Sequence, residues 1–86
     1  MTPREKLTGR EIQVATMVWQ GLTNREIGNF MGTTEQVVKN HLRNTFDKLG
    51  VWSRLELAMY VAGHGGKAWA EDSVHSGTAQ PDVSWR

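Results

Sequence analysis

The chain has 86 residues, 38% of them hydrophobic, and a formal charge of +1. A domain of this size hides only about 60% of the surface that its unfolded form exposes, so its stability is modest. With no cysteine there is neither a disulfide framework nor a thiolate metal site, which suits a reducing cytosol. No run of about eighteen apolar residues offers a membrane span, and the opening Met1-Thr2-Pro3-Arg4-Glu5-Lys6 lacks the apolar core of an export signal. The expected location is the cytoplasm. Residues 1–62 carry eight Lys or Arg against six acids, a charge of +2, and the rest carries two against three, a charge of −1. So small an excess attracts nucleic acid only if the bases gather on one face.

Four helix starts are marked by capping chemistry, in which a Ser or Thr oxygen accepts from the orphan amides of the first turn. Thr8 with Glu11, Thr23 with Glu26 and Ser53 with Glu56 read as reciprocal boxes. Thr34 caps without a returning carboxylate, because Val37 stands at that place. Gly21, Gly32 and Gly50 follow the first three periodic runs, as expected where a chain leaves a helix. The spacing predicts helices over 9–20, 24–30, 35–49 and 54–62, with no competing strand pattern, and hence an all-α, four-helix fold. The second and third join through Met31-Gly32-Thr33-Thr34, a tight glycine-containing connection with the anatomy of a helix-turn-helix.

Domain organisation follows from composition. Residues 1–6 read as an N-terminal arm, 7–62 as the domain, and 63–86 as a largely disordered tail that starts at Gly63-His64-Gly65-Gly66 and stays rich in Gly, Ser, Ala and acid. A helical turn over 67–72 is the exception to weigh, since Ala68, Trp69 and Ala70 could lay one apolar face on the domain.

On the third helix Val38, Leu42, Thr45, Phe46 and Leu49 recur at spacings of three and four and form one inward stripe. The opposite face presents Gln36, Lys39, Asn40, Arg43 and Asp47. Polar helix faces are usually just solvated, but this one follows a glycine turn, and its first four members are the types that pair with base edges: Asn and Gln with adenine, Arg and Lys with guanine. Thr33, Thr34 and the first amides of the helix offer phosphate ligands beside it, and Asn24 and Arg25 at the start of the second helix add backbone contacts.

Leu7-Thr8-x-Arg10-Glu11, Gly21-Leu22-Thr23-Asn24-Arg25-Glu26-Ile27, Val38-Lys39-Asn40-His41 and Lys48-Leu49-Gly50-Val51, with Arg54 and Ala58, together resemble the LuxR-type helix-turn-helix family, also called the GerE or NarL/FixJ type. The resemblance runs without a gap from Leu7 to about Ala62, and the joint spacing is far more specific than any one element. It implies a transcriptional regulator that binds double-stranded DNA with its third helix in the major groove, contacting bases from Lys39, Asn40 and Arg43. It also implies a homodimer on DNA through the fourth helix, where Leu55, Ala58, Met59 and Ala62 form a stripe. Core burial is the competing account of that stripe.

The chain departs from the pattern at four places. Val37 replaces a common threonine, and Gly28 replaces an alanine and should weaken the second helix by roughly 0.5 to 1 kcal/mol. Trp19 replaces a small residue and Ile12 a polar one, so the first helix is apolar almost all round. Either the C-terminal segment covers this surplus, through Trp69, or a protein partner does, in which case Ile12, Trp19 and Trp52 form its patch. That second account defines an alternative function: a protein-binding regulatory module on the same fold.

The receiver or ligand-binding domain that usually precedes such a module is absent from the sequence. The chain therefore reads as a stand-alone regulator or the end of a longer protein, and the long tail favours the first. A promoter-reading region of a sigma factor shares the Leu-Thr-x-Arg-Glu opening, but the Lys-x-His run and the Lys-Leu-Gly-Val ending side with the LuxR type. No enzyme is expected, and no cofactor or metal. His41, His64 and His75 lack metal-ligand spacing, and neither a phosphate loop nor a nucleophile with its base occurs.

Overall fold

The computed structural model describes residues 3–69. A short 3₁₀ turn, Pro3–Lys6, leads into four helices: α1 (Gly9–Trp19), α2 (Asn24–Met31), α3 (Glu35–Leu49) and α4 (Arg54–Gly63). Each expected cap is made. Thr8 and Thr23 form complete boxes with Glu11 and Glu26, and Thr34 Oγ1 accepts the Val37 amide at 3.1 Å. The fourth box differs from its expectation. Ser53 Oγ does accept from the Glu56 amide, but the Glu56 carboxylate passes over the cap to accept the amide of Trp52 at 2.6 Å.

α1 is the central element, packed against both α3 and α4, and this explains why most of its residues are apolar. Val14 and Ala15 are fully buried, and Ile12, Met17 and Val18 nearly so. Ile27 of α2, Val38 and Leu42 of α3, and Leu57 and Val61 of α4 complete the core around it. Glu11 lies in this interior with its side chain 4% exposed, paired with Lys48 Nζ at 2.8 Å. Burial alone would raise its pKa. The hydrogen bonds and charge from Lys48, with the bonds to Thr8, outweigh burial and hold the carboxyl below its ordinary value.

At both ends the chain packs onto the expected domain beyond its bounds. Residues 3–6 are not a free arm: Leu7 enters the core, and Arg4 Nε donates to the Trp69 carbonyl at 3.0 Å with its guanidinium 5.2 Å from the centroid of the Trp69 ring. At the other end the chain reverses at Gly65 and Gly66, where the Gly66 amide donates to the Val61 carbonyl at 2.8 Å. Residues 67–69 are helical and Trp69 is buried. The packed unit thus continues through Trp69, and disorder from Gly63 onward does not hold for 63–69. The rest of the expected tail, 70–86, and of the turn over 67–72 lies outside the described residues. Gly66 is required here, because its φ of +54° is left-handed and a Cβ on it would stand 2.8 Å from Cζ2 of Trp19.

Gly28 has a packing role that its helix propensity conceals. A Cβ there would meet the Thr33 carbonyl oxygen at 3.0 Å, and the Thr33 amide donates to the Gly28 carbonyl at 2.8 Å. The missing side chain lets α2 press directly onto the turn that follows it.

Candidate nucleic-acid interface

α2, the turn and α3 form the helix-turn-helix. Gly32 ends α2 with φ +71° and ψ +35°, a left-handed conformation that closes the connection within the three residues 32–34. Thr34 then caps α3, whose fifteen residues make a rod about 22 Å long. A B-DNA major groove, roughly 12 Å wide, admits such a rod.

What orients the rod is its inward stripe. Val38 and Thr45 are fully buried and Leu42 and Leu49 nearly so, while Phe46 is half-buried. The Thr45 hydroxyl donates to the His41 carbonyl at 2.7 Å, which satisfies the one polar group on that side. With the stripe fixed, Gln36, Lys39, Asn40 and Arg43 are all exposed on the other side. Gln36 Nε2 donates to Asn40 Oδ1 at 3.2 Å, linking the two amides one turn apart. Neither Lys39 nor Arg43 has a hydrogen bond or ion pair among the described residues. Glu35 and Asp47, both exposed, flank the basic pair at the two ends of the helix.

The four expected backbone contacts are placed unequally. Arg25 is exposed and carries no ion pair among the described residues. Thr33 is half-buried in the turn. Thr34 spends its oxygen on the cap, which leaves its hydroxyl hydrogen to donate elsewhere. Asn24 is also committed: its Oδ1 accepts from Arg54 Nη1 at 2.5 Å. Arg54 Nη2 donates to the Leu22 carbonyl in turn. Asn24, Lys39, Arg43 and Arg54 thereby share one surface depression, floored by Leu42 and Phe46.

On α4, Leu55 and Met59 are 69% and 63% exposed, Ala62 is exposed and Ala58 half-buried. Core burial therefore does not account for Leu55, Met59 and Ala62, whereas Ala58 packs against the core. The expected partner patch is corrected. Ile12 is buried at 8% exposure, Trp19 is half-covered by Gly66, and only Trp52, 88% exposed, stands free. The C-terminal turn covers the surplus of α1, so these three do not make one surface. Sequence reasoning missed the roles of Arg54 and Lys48, whose partners lie 30 and 37 residues away. It also missed Phe30, 73% exposed on α2. Among the described residues no group of His, Cys, Asp and Glu could hold a metal ion.

Two helices joined through a left-handed glycine turn, the second with one face in the core and an exposed polar face opposite, define a helix-turn-helix protein. The particular family is given by comparison. The model of bacterial regulatory proteins of the luxR family matches residues 5–61, and the chain belongs to that family, carrying its DNA-binding unit. The transcriptional regulatory protein LiaR of Bacillus subtilis (strain 168) is 40% identical over 59 residues, covering 69% of this chain and 28% of LiaR. LnrK of the same organism, also a transcriptional regulatory protein, is 42% identical over 59 residues, 69% of this chain and 27% of its own. The nitrate/nitrite response regulator protein NarP of Escherichia coli (strain K12) is 43% identical over 53 residues, 62% of this chain and 25% of NarP. The chain spans about a quarter of the length of these relatives. No solved structure matches it.

Proposed function

We propose that this chain regulates transcription by binding duplex DNA with α3 in the major groove. Gln36, Lys39, Asn40 and Arg43 meet base edges, and Asn24, Arg25, Thr33 and Thr34 meet the phosphates. The observation that carries the reading is the joint exposure of the first four on one side of a helix whose other side is locked into the core. Leu55, Ala58, Met59 and Ala62 join two copies on DNA, so that paired reading heads meet neighbouring half-sites. The exposure of Leu55 and Met59 supports this. The site of action is the cytoplasm, in keeping with the absence of a helix long and apolar enough to cross a membrane among the described residues.

The test is Arg43→Ala measured against a selected operator and against versions altered one base pair at a time. Loss of about 1 to 3 kcal/mol, with relaxed preference at one position, is the outcome for a residue that reads an edge. Equal loss on every sequence would move Arg43 to the phosphate set. Amide shifts on adding duplex should fall on α3 and the start of α2, and shifts confined to α1 would overturn the reading.

A further inference from the structure

We infer that Arg54 is a positioning residue for DNA binding: it fixes the Asn24 side chain so that a donor, never an acceptor, remains for the phosphate backbone. The inference rests on the DNA-binding reading above and names one of its working parts. A guanidinium only donates hydrogen bonds, so the Asn24 atom that faces Arg54 Nη1 at 2.5 Å is the oxygen. The amide cannot flip while that bond and the companion bond from Nη2 to the Leu22 carbonyl hold. Nδ2, with its two hydrogens, is then the polar atom of Asn24 left for a ligand, and a phosphate, which only accepts, is the ligand it suits.

The surroundings of Asn24 agree. Lys39 and Arg43 line the same depression with their charges unpaired, and no carboxylate lines it, among the described residues. The depression therefore offers a ligand donors and positive charge over an apolar floor. Arg54 begins α4 and Asn24 begins α2, so the same fork also sets the distance between the helix that carries the exposed Leu55 and Met59 and the helix that grips the backbone. A lysine could keep the charge but could not hold both carbonyl oxygens in one plane.

The experiment measures affinity for two fluorescein-labelled duplexes of unrelated sequence over a salt series, with the full chain, Asn24→Asp and Arg54→Lys. Asn24→Asp keeps an acceptor for Arg54 and so keeps the fold, with an unchanged melting temperature, but it replaces the donor with a negative charge. Expected is a loss of about tenfold or more on both duplexes, with the salt slope shallower by about one unit. In Arg54→Lys the two Asn24 side-chain amide ¹⁵N–¹H signals should shift and broaden as the flip is released, and binding should weaken on both duplexes. Unchanged affinity of Asn24→Asp, loss on one duplex only, or unmoved Asn24 amide signals in a folded Arg54→Lys would overturn the proposal. If the unaltered chain binds neither duplex at low salt, the DNA-binding reading itself fails, and this assignment with it.

Discussion

Replacing Lys48 with Met tests whether the buried Glu11 carboxylate is held by its ion pair. Met keeps the length and apolar stem of the lysine but removes the ammonium, which lies 2.8 Å from Oε1. Removing one partner of a buried pair costs roughly 3 to 5 kcal/mol. Two features reduce that here: Lys48 is 33% exposed along its side chain, and the same oxygen still accepts the Thr8 amide at 2.9 Å. A loss of about 2 kcal/mol at neutral pH is expected, or about 8 to 16 °C in Tm for a domain of this size. The pH dependence gives a second reading. In the native chain the Glu11 pKa is lowered, so its contribution is present above the unfolded carboxylate pKa and is lost as pH falls through the folded value. In Lys48→Met burial acts with less opposition and moves the Glu11 pKa upward, so protonation relieves the variant. The Tm gap between the two proteins should begin to narrow as pH falls through the variant's upward-moved Glu11 pKa and finish narrowing below the lowered native one. Thermal unfolding followed by tryptophan fluorescence from pH 7 downward measures both quantities. A Tm loss under about 2 °C at neutral pH, or a gap that stays constant into acid, would refute the assignment.

Arg25→Ala should weaken binding to all DNA sequences alike and flatten the salt slope by about one unit; selective loss on one operator would contradict a backbone role. Gly66→Ala must place a Cβ 2.8 Å from the Trp19 ring at a left-handed φ, and should destabilise the domain by about 1 to 3 kcal/mol, with a red-shifted tryptophan emission as Trp19 or Trp69 is exposed. An unchanged urea midpoint would show that residues 64–69 do not hold to α1. Leu55→Asp alters a side chain that is 69% exposed and should change stability by less than about 0.5 kcal/mol. Sedimentation on a two-half-site duplex should nevertheless give a single copy bound where the unaltered chain binds as a pair; paired binding by the variant would exclude the α4 stripe.

The boundaries of the four helices were legible because each is written in local chemistry. Thr8, Thr23, Thr34 and Ser53 cap the residues immediately after them, and the inward stripe of α3 is set by spacings of three and four within one helix. The exposed polar face follows by exclusion, since burying Val38, Leu42, Thr45 and Leu49 forces Gln36, Lys39, Asn40 and Arg43 outward. Glu56 shows where local chemistry stops: its cap was foreseen, but its carboxylate found the Trp52 amide one residue earlier.

Sequence alone could not decide what covers α1 or which polar groups serve the fold. Composition marked residues 63–69 as tail, yet a reversal at Gly66 and the bond from Arg4 to the Trp69 carbonyl, 65 residues apart, seal them onto the domain. Arg54 and Asn24 look like two surface polar residues until the packing of α4 on α1 and of α2 on α3 brings them to hydrogen-bonding distance. Caps and periodicities act over a single turn and can be read along the chain. Partners 30 to 65 residues apart are chosen by how the helices pack, and only the folded structure contains that choice.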